Sequence, residues 1–183
     1  RPCCDRLAGQ GSGRGMCRVI VRLSKIALVA GVALMMTLVA AGNITAWEIN
    51  RPFVQHVMSM DTTFRNPALM WRAVTDPLAQ TIGYLLIIAV EAASALLLWA
   101  GAVRLWLRRR ASAAGFEAAK ALAVGGLALA MLLWGVGFLT IAGEWFAMWQ
   151  SQDWNGKQAA FQFLGFTGLV LLFLNQREGE LAA

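Results

Sequence analysis

The sequence predicts an all-α membrane protein with four transmembrane helices, both termini cytoplasmic and a short interfacial helix in the first outer loop. Of the 183 residues, 58% are hydrophobic and 14% are charged, whereas soluble domains are nearer half apolar and a quarter charged. Long stretches of the chain also lack charges, and about 20 apolar residues in a helix span a bilayer. Together these observations exclude a disordered chain, a typical cytosolic enzyme and a secreted disulfide scaffold.

The windows that carry few charges define the spans. Three windows contain no charged residue, and a fourth, Pro77–Val103, contains only Glu91. An outer-membrane barrel would instead show alternating segments of about 10 residues. We therefore predict spans at about residues 23–47, 77–103, 120–143 and 158–176, with a basic arm at 1–22 and a tail at 177–183.

The distribution of basic residues predicts the orientation. Most of the 16 Lys and Arg residues lie in the N-terminal arm, in the loop between spans two and three, and in the tail. The positive-inside rule therefore predicts that both termini of this multi-pass protein are cytoplasmic. The net charge of +6 then reflects topology, and no nucleic-acid partner is predicted. In the loop, Arg104, Arg108, Arg109 and Arg110 are expected to bind anionic lipid headgroups, at about 1 kcal/mol per residue.

The N-terminal arm raises separate expectations. Met16 is a natural alternative start, and we interpret the first span as a retained signal anchor. An ordered arm rich in Gly, Ser and Arg would need a neighbouring subunit to hold it. Cys3, Cys4 and Cys17 have no CxxC spacing and no neighbouring histidine, so neither a disulfide nor a zinc site is expected.

The two predicted outer loops hold most of the unusual residues. Asn66-Pro67 has the form of an N-cap followed by Pro at N1, which predicts a short helix through Trp71 and Val74 at the membrane interface. Most of the tryptophans near these loops fit an aromatic belt. The candidates for binding a partner on this face are His56, Asp61, Arg72, Glu144, Trp145, Trp149 and Trp154.

Several of these stretches resemble a known family. They are FVQHVMSMDTTF at 53–64, MWRA at 70–73, Glu91, and GEWFAMWQSQDWNG at 143–156. They look like the bacterial predicted small integral membrane proteins, domain-of-unknown-function family 2165, over about Ser24 to Gln176. The resemblance implies a four-span inner-membrane protein and no established activity.

No motif for catalysis or for a cofactor is present, so no enzyme activity, catalytic residue or cofactor is predicted. The chain has a single histidine and no CxxCH, phosphate-binding loop, HExxH or GxSxG. His56, Met58 and Met60 offer ligands that suit copper, and they would share one face if the segment were extended. We favour a loop histidine that is hydrogen-bonded to Asp61 or Glu144, and therefore no metal.

Glu91 lies near the middle of span two, where an acidic residue costs about 2.5 to 3.5 kcal/mol. No basic residue is expected at that depth, which favours the neutral acid. One interpretation is structural, with Glu91 bonded to a backbone carbonyl or to Thr37, Thr140 or Thr167. The other is a proton-linked or partner-binding role. The residues expected to share its face are Tyr84, Ile87, Ile88, Ser94, Ala95 and Leu98.

Three functional hypotheses follow from these observations. The first is a non-catalytic accessory or assembly subunit of a larger inner-membrane complex, such as respiratory or electron-transfer machinery. Its partners would be membrane lipids and other subunits. The second is a small proton-coupled transporter or channel that uses Glu91. The third is a periplasm-facing copper or quinone site.

Overall fold

The computed structural model describes the backbone of residues 11–178 and the side chains of residues 16–178. Within that part of the chain there is no strand. The helices are α1 (Gly11–Thr45), α2 (Trp47–Ser59), α3 (Pro77–Leu107), α4 (Ala113–Ala119), α5 (Ala121–Met131) and α6 (Lys157–Leu174). A π-helical segment, Leu132–Trp145, continues α5, and 3-10 turns at Met70–Arg72 and Met148–Gln150 lie in the connections.

Four helical stretches are long and apolar enough to cross a membrane, which confirms the predicted fold class. They are Met16–Thr45, Pro77–Leu107, Ala113–Trp145 and Lys157–Leu174. The third stretch combines α4, α5 and the π segment, so it begins before the predicted residue 120. The cytoplasmic orientation of the termini stays a prediction.

The N-terminal arm is in part a continuation of the first span. Because α1 begins at Gly11, the predicted boundary after residue 22 falls within a continuous helix. Cys3 and Cys4 lie outside the described residues. Cys17 is disulfide-bonded, so the expectation of no disulfide is wrong for this residue, and its sequence spacing gave no signal of it.

Small residues let α3 and α5 approach closely. A Cβ added to Gly101 would lie 2.6 Å from the backbone nitrogen of Ala123, and one added to Gly126 would lie 2.8 Å from Cγ of Leu98. Such close packing is how membrane helices gain contact when there is no hydrophobic driving force between them. The main core extends along these helices and includes Val29, Met36, Leu98, Leu105 and Leu127, all fully buried.

One end of the bundle carries a folded cap, formed by α2, the two 3-10 turns and the starts of α3 and α6. The first predicted outer loop is largely helical, because α2 occupies residues 47–59 with Pro52 inside it. The predicted interfacial helix is only the 3-10 turn Met70–Arg72. Asp76 caps α3, since its Oδ1 accepts a hydrogen bond from Ala79 N at 2.7 Å.

At the opposite end, which we call the basic end, three cations converge on one carboxylate. Glu178 contacts Lys25, Nζ of Lys120 at 3.1 Å and Nε of Arg22 at 3.4 Å. All four side chains are at most 5% exposed. These residues belong to α1, to the α4–α5 junction and to the chain after α6, so the cluster ties three helices together.

The environment of Glu178 favours its charged form. Burial by itself would raise the pKa of Glu178, but hydrogen bonds from Lys25 and Lys120 oppose this and bring the pKa below its usual value of 4.5. Sequence analysis assigned Glu178 to the tail at 177–183 and missed this cluster. The signal was weak, because nothing in the order of charges shows which of them meet in space.

Candidate functional site

The site is built around Glu91, which is 1% exposed on α3. The side-chain amide of Asn43 on α1 donates to both carboxyl oxygens, with Nδ2 at 3.0 Å from Oε1 and 2.9 Å from Oε2. Hydrogen bonds between transmembrane helices typically contribute about 0.6 kcal/mol each and at most about 1.7 kcal/mol. The contact therefore fixes the register of α1 against α3 while leaving Glu91 without a cationic partner in the described chain.

The end of α1 is held in place by a second polar contact. Tyr84 lies about two turns before Glu91 on α3. Its hydroxyl donates to the backbone carbonyl of Asn43 at 2.7 Å. The amide of Asn50 on α2 donates to the carbonyl of Gly42 at 3.2 Å. These bonds satisfy carbonyls at the end of α1 and position the Asn43 side chain towards α3.

A cavity of about 420 Å³ adjoins this polar group. Glu91, Asn43 and Asn50 provide its polar lining, and the other walls are mostly aromatic and aliphatic. Ligand pockets in proteins are typically about 300 to 1,000 Å³, with a few polar groups in an apolar wall. The aromatic lining residues are Phe53, Tyr84, Trp134, Phe138, Trp154 and Phe163.

Trp134 in the π segment stands out among these wall residues. It is 4% exposed, and its Nε1 is buried without a hydrogen-bond partner. Its ring packs against Phe163 at a centroid distance of 4.6 Å and against Phe138 at 4.9 Å. A buried unpaired donor is costly, and π-helical geometry is frequent at functional sites.

The structure corrects the predicted partners of Glu91. Thr37 and Thr140 bond to carbonyls of their own helices, and Oγ1 of Thr167 has no partner. Asn43 is the partner and was missed, although an amide inside an otherwise apolar span was a usable signal. Of the residues expected to share the face of Glu91, five are buried with it: Tyr84, Ile88, Ser94, Ala95 and Leu98.

A second cavity lies on the other side of Phe53 and Phe138. It has a volume of about 320 Å³ and is lined by apolar side chains of α2, α3 and the π segment. Phe53 and Phe138 are stacked, with centroids 6.3 Å apart and an interplanar angle of 24°. Because both rings line both cavities, this pair separates an apolar space from one that contains Glu91.

The predicted outer-face candidates do not form one site. His56, Asp61 and Trp154 come together: Nδ1 of His56 lies 2.8 Å from Oδ2 of Asp61, and its ring stacks on Trp154 at 4.6 Å. The expected hydrogen bond from His56 to Asp61 is therefore present. Of these three residues, only Trp154 also lines the Glu91 cavity.

The arrangement expected for copper is wrong. The segment that carries His56 is helical, so a two-residue spacing places Met58 on a different face from His56 and Met60. The sulfur of Met58 lies against Gly83 of α3. Met60 is 1% exposed within an apolar cluster. Both thioethers therefore act as packing groups.

The remaining candidates form separate pairs at the cap. Arg72 lies over the rings of Trp71 and Trp145, with Cζ 5.6 Å and 5.0 Å from the two centroids. Trp149 packs edge-on against Phe64 at 6.0 Å. Glu144 instead accepts a hydrogen bond from Nζ of Lys157 at 2.6 Å.

With this geometry described, the chain can be compared with known proteins. Residues 21–177 match the family described as predicted small integral membrane protein (DUF2165). The chain belongs to this family. The resemblance seen in its motifs is thereby confirmed, and the protein is an integral, multi-pass membrane protein. No curated protein and no solved structure matches it.

For such a membrane protein, the arginines at the basic end are placed to meet lipid. Arg104, Arg108 and Arg110 are exposed, and the first two line a shallow groove of about 160 Å³ against α4. Arg109 differs, because its Nη1 donates to the carbonyl of Trp106 at 2.8 Å and its guanidinium lies over the Trp106 ring. Binding of anionic headgroups by this group stays a prediction.

Proposed function

We propose that this chain is a non-catalytic accessory or assembly subunit of a larger complex in the bacterial inner membrane. The observation that supports this is the arginine–tryptophan surface of the cap, which consists of Trp71, Arg72 and Trp145. The indole rings of the two tryptophans meet edge to face at 5.5 Å, yet Trp71 is 69% exposed and Trp145 is 45% exposed.

This surface has an unsatisfied cation at its centre. Arg72 makes no salt bridge among the described residues, and its Nε is buried without a hydrogen-bond partner. Tryptophan and arginine are the residues most enriched at interface hot spots. A carboxylate on a partner subunit would pair with the Arg72 guanidinium, and the two indole rings would pack around it.

The surface is also held rigidly, which lowers the entropic cost of binding a partner. Thr62 donates to Oγ of Ser151 at 2.9 Å, and the backbone N–H of Phe64 donates to Oε1 of Gln150 at 3.0 Å. These bonds join the loop after α2 to the loop after the π segment.

Site-specific photo-crosslinking in intact cells tests this proposal. A benzophenone side chain at Trp145 should give one discrete protein adduct, and Arg72→Ala should abolish it. The matched control is a benzophenone at Leu96, which is 71% exposed in the middle of α3 and should label lipid. If Trp145 also labels only lipid, the tryptophans form an interfacial belt and the proposal fails for this surface.

A second candidate function is a small proton-coupled transporter or channel. It is favoured by one observation, the cavity that adjoins Glu91, which has no cationic partner among the described residues. In the accessory role, Glu91→Gln keeps an oxygen that can accept from Asn43 and should be tolerated, while Glu91→Leu should be worse. In the transport role both substitutions remove the titrating group, so proton flux in proteoliposomes should fall equally in both.

A further inference from the structure

The Glu91 cavity has the chemistry of a site for a positively charged ligand. Glu91 is its acidic group, and Tyr84 is the other titratable side chain among its lining residues. No lysine, arginine or histidine lines it. An ionised Glu91 would therefore have a neutral amide, Asn43, as its polar partner.

The charged groups on the surrounding helices are paired elsewhere or are not among the residues that line the cavity. Lys25 on α1 contacts Glu178, His56 on α2 pairs with Asp61, and Lys157 at the start of α6 pairs with Glu144. Glu48 and Arg51 of α2 are not among the residues that line the cavity. A positive charge beside Glu91 must therefore come from a proton or from a ligand.

The walls favour one class of cation. Six aromatic rings line the cavity, and the negative face of an aromatic ring attracts a cation, more strongly when water is excluded. A primary ammonium would need several hydrogen-bond acceptors, and the site offers few. A delocalised or quaternary cation needs none and gains from the apolar walls.

We propose that this cavity binds a hydrophobic organic cation, such as a quaternary ammonium or phosphonium compound, with Glu91 as its counter-ion. Binding exchanges charge for charge: the neutral acid loses its proton to solvent as the cation enters, and no covalent bond forms or breaks other than that O–H. The inference deepens the transport candidate by naming its solute class. It also holds if the protein binds such cations without transporting them.

Tetraphenylphosphonium is the probe, added to the purified full chain in detergent and measured by equilibrium dialysis. Triphenylphosphine oxide, a neutral compound of similar shape, is the matched control ligand. We expect saturable binding of one phosphonium per chain and weak binding of the neutral compound. About one proton should be released per cation bound in weakly buffered solution. The affinity for the phosphonium should fall by up to about ten-fold for each unit by which the pH is lowered, in the range where the proton competes.

Two variants test the role of the carboxyl group. Glu91→Gln should weaken phosphonium binding at least ten-fold and abolish proton release. Ser94→Ala, one turn further along α3 and bonded to its own helix at Val90, should change neither. Proton release by the unmodified protein keeps the test decisive even if Glu91→Gln fails to fold.

The outcomes separate this inference from the function it deepens. Equal binding of the cation and the neutral compound overturns the inference and points to a neutral ligand held by Nε1 of Trp134. Unchanged phosphonium binding in Glu91→Gln also overturns it, because Glu91 is then not the counter-ion. Cation binding without flux in proteoliposomes supports the inference and refutes transport. Glu91-dependent proton flux without phosphonium binding supports transport and overturns the inference.

Discussion

The contact between Asn43 and Glu91 should be measurable as a coupling energy between α1 and α3. We consider Asn43→Leu, Glu91→Leu and the double variant, each compared with the unmodified protein. Asn43→Leu leaves a buried carboxyl group without its donor, and Glu91→Leu leaves a buried amide without its acceptor. Each loss costs about 1 to 3 kcal/mol in principle.

The double variant removes both polar groups, so neither is left unsatisfied. Its destabilisation should therefore be smaller than the sum of the two single effects. Interhelical hydrogen bonds measured by such cycles average about 0.6 kcal/mol and reach about 1.7 kcal/mol. Because one amide donates to both oxygens at 2.9 and 3.0 Å, we expect a coupling energy in the upper half of that range.

The assay is unfolding in mixed micelles titrated with a denaturing detergent, followed by tryptophan fluorescence. The control cycle pairs Asn43→Leu with Ser94→Ala, because Ser94 bonds within its own helix and shares no partner with Asn43. That cycle should be additive within about 0.5 kcal/mol. We call the Asn43–Glu91 contact the clamp between α1 and α3. A coupling energy near zero for these two residues would refute it.

Three further predictions concern other parts of the chain. In a cysteine-free background, a cysteine at exposed Ala114 should be labelled only from the cytoplasm and one at exposed Gln152 only from outside; the reverse pattern would refute the orientation. Glu178→Gln should destabilise the protein by about 3 to 5 kcal/mol, because it leaves buried cations uncompensated. Glu144→Gln, at a solvent-accessible pair with Lys157, should cost under about 1 kcal/mol. Since the pKa of Glu178 is lowered on folding, its stabilising effect should be complete above pH 4.5 and be lost as the pH falls further. Thermal unfolding measured from pH 7 to 3 should therefore show a loss of stability that is absent in Glu178→Gln. Elemental analysis should find no stoichiometric copper in the unmodified protein or in His56→Ala. One equivalent of copper in the unmodified protein that is absent from His56→Ala would restore the copper hypothesis.

The fold was predictable because hydrocarbon imposes a simple rule. A helix that spans the membrane must satisfy its own backbone hydrogen bonds and carry few charges. Both properties can be recognised in the sequence. The cap was harder to predict from the sequence. Residues 47–59 form a helix although Pro52 lies inside it, because the segment packs Val54 and Val57 against neighbouring helices. Local patterns do not reveal such tertiary contacts.

The candidate site was half predictable for the same reason. The cost of placing an acid in mid-bilayer singled out Glu91, and that argument needs only its position in the span. The identity of its partner depends on how α1 rotates and slides against α3, which no property of Asn43 alone determines. The cavity is less predictable still, since it is the space left by side chains from several helices.

Glu91 combines two properties that a purely structural contact does not require. A carboxyl group has about four lone-pair positions, and Asn43 uses one on each oxygen, so the clamp leaves hydrogen-bonding capacity unused. Close packing is the rule in protein interiors, yet here a cavity of about 420 Å³ adjoins that unused capacity and is lined by aromatic side chains. If the clamp were the whole role of Glu91, filling the cavity with a larger side chain, such as Ala159→Leu on its α6 wall, would leave function intact or increase stability. If the cavity holds a ligand, the same substitution should weaken binding while leaving the coupling between Asn43 and Glu91 unchanged, and measuring both in one variant distinguishes the two roles.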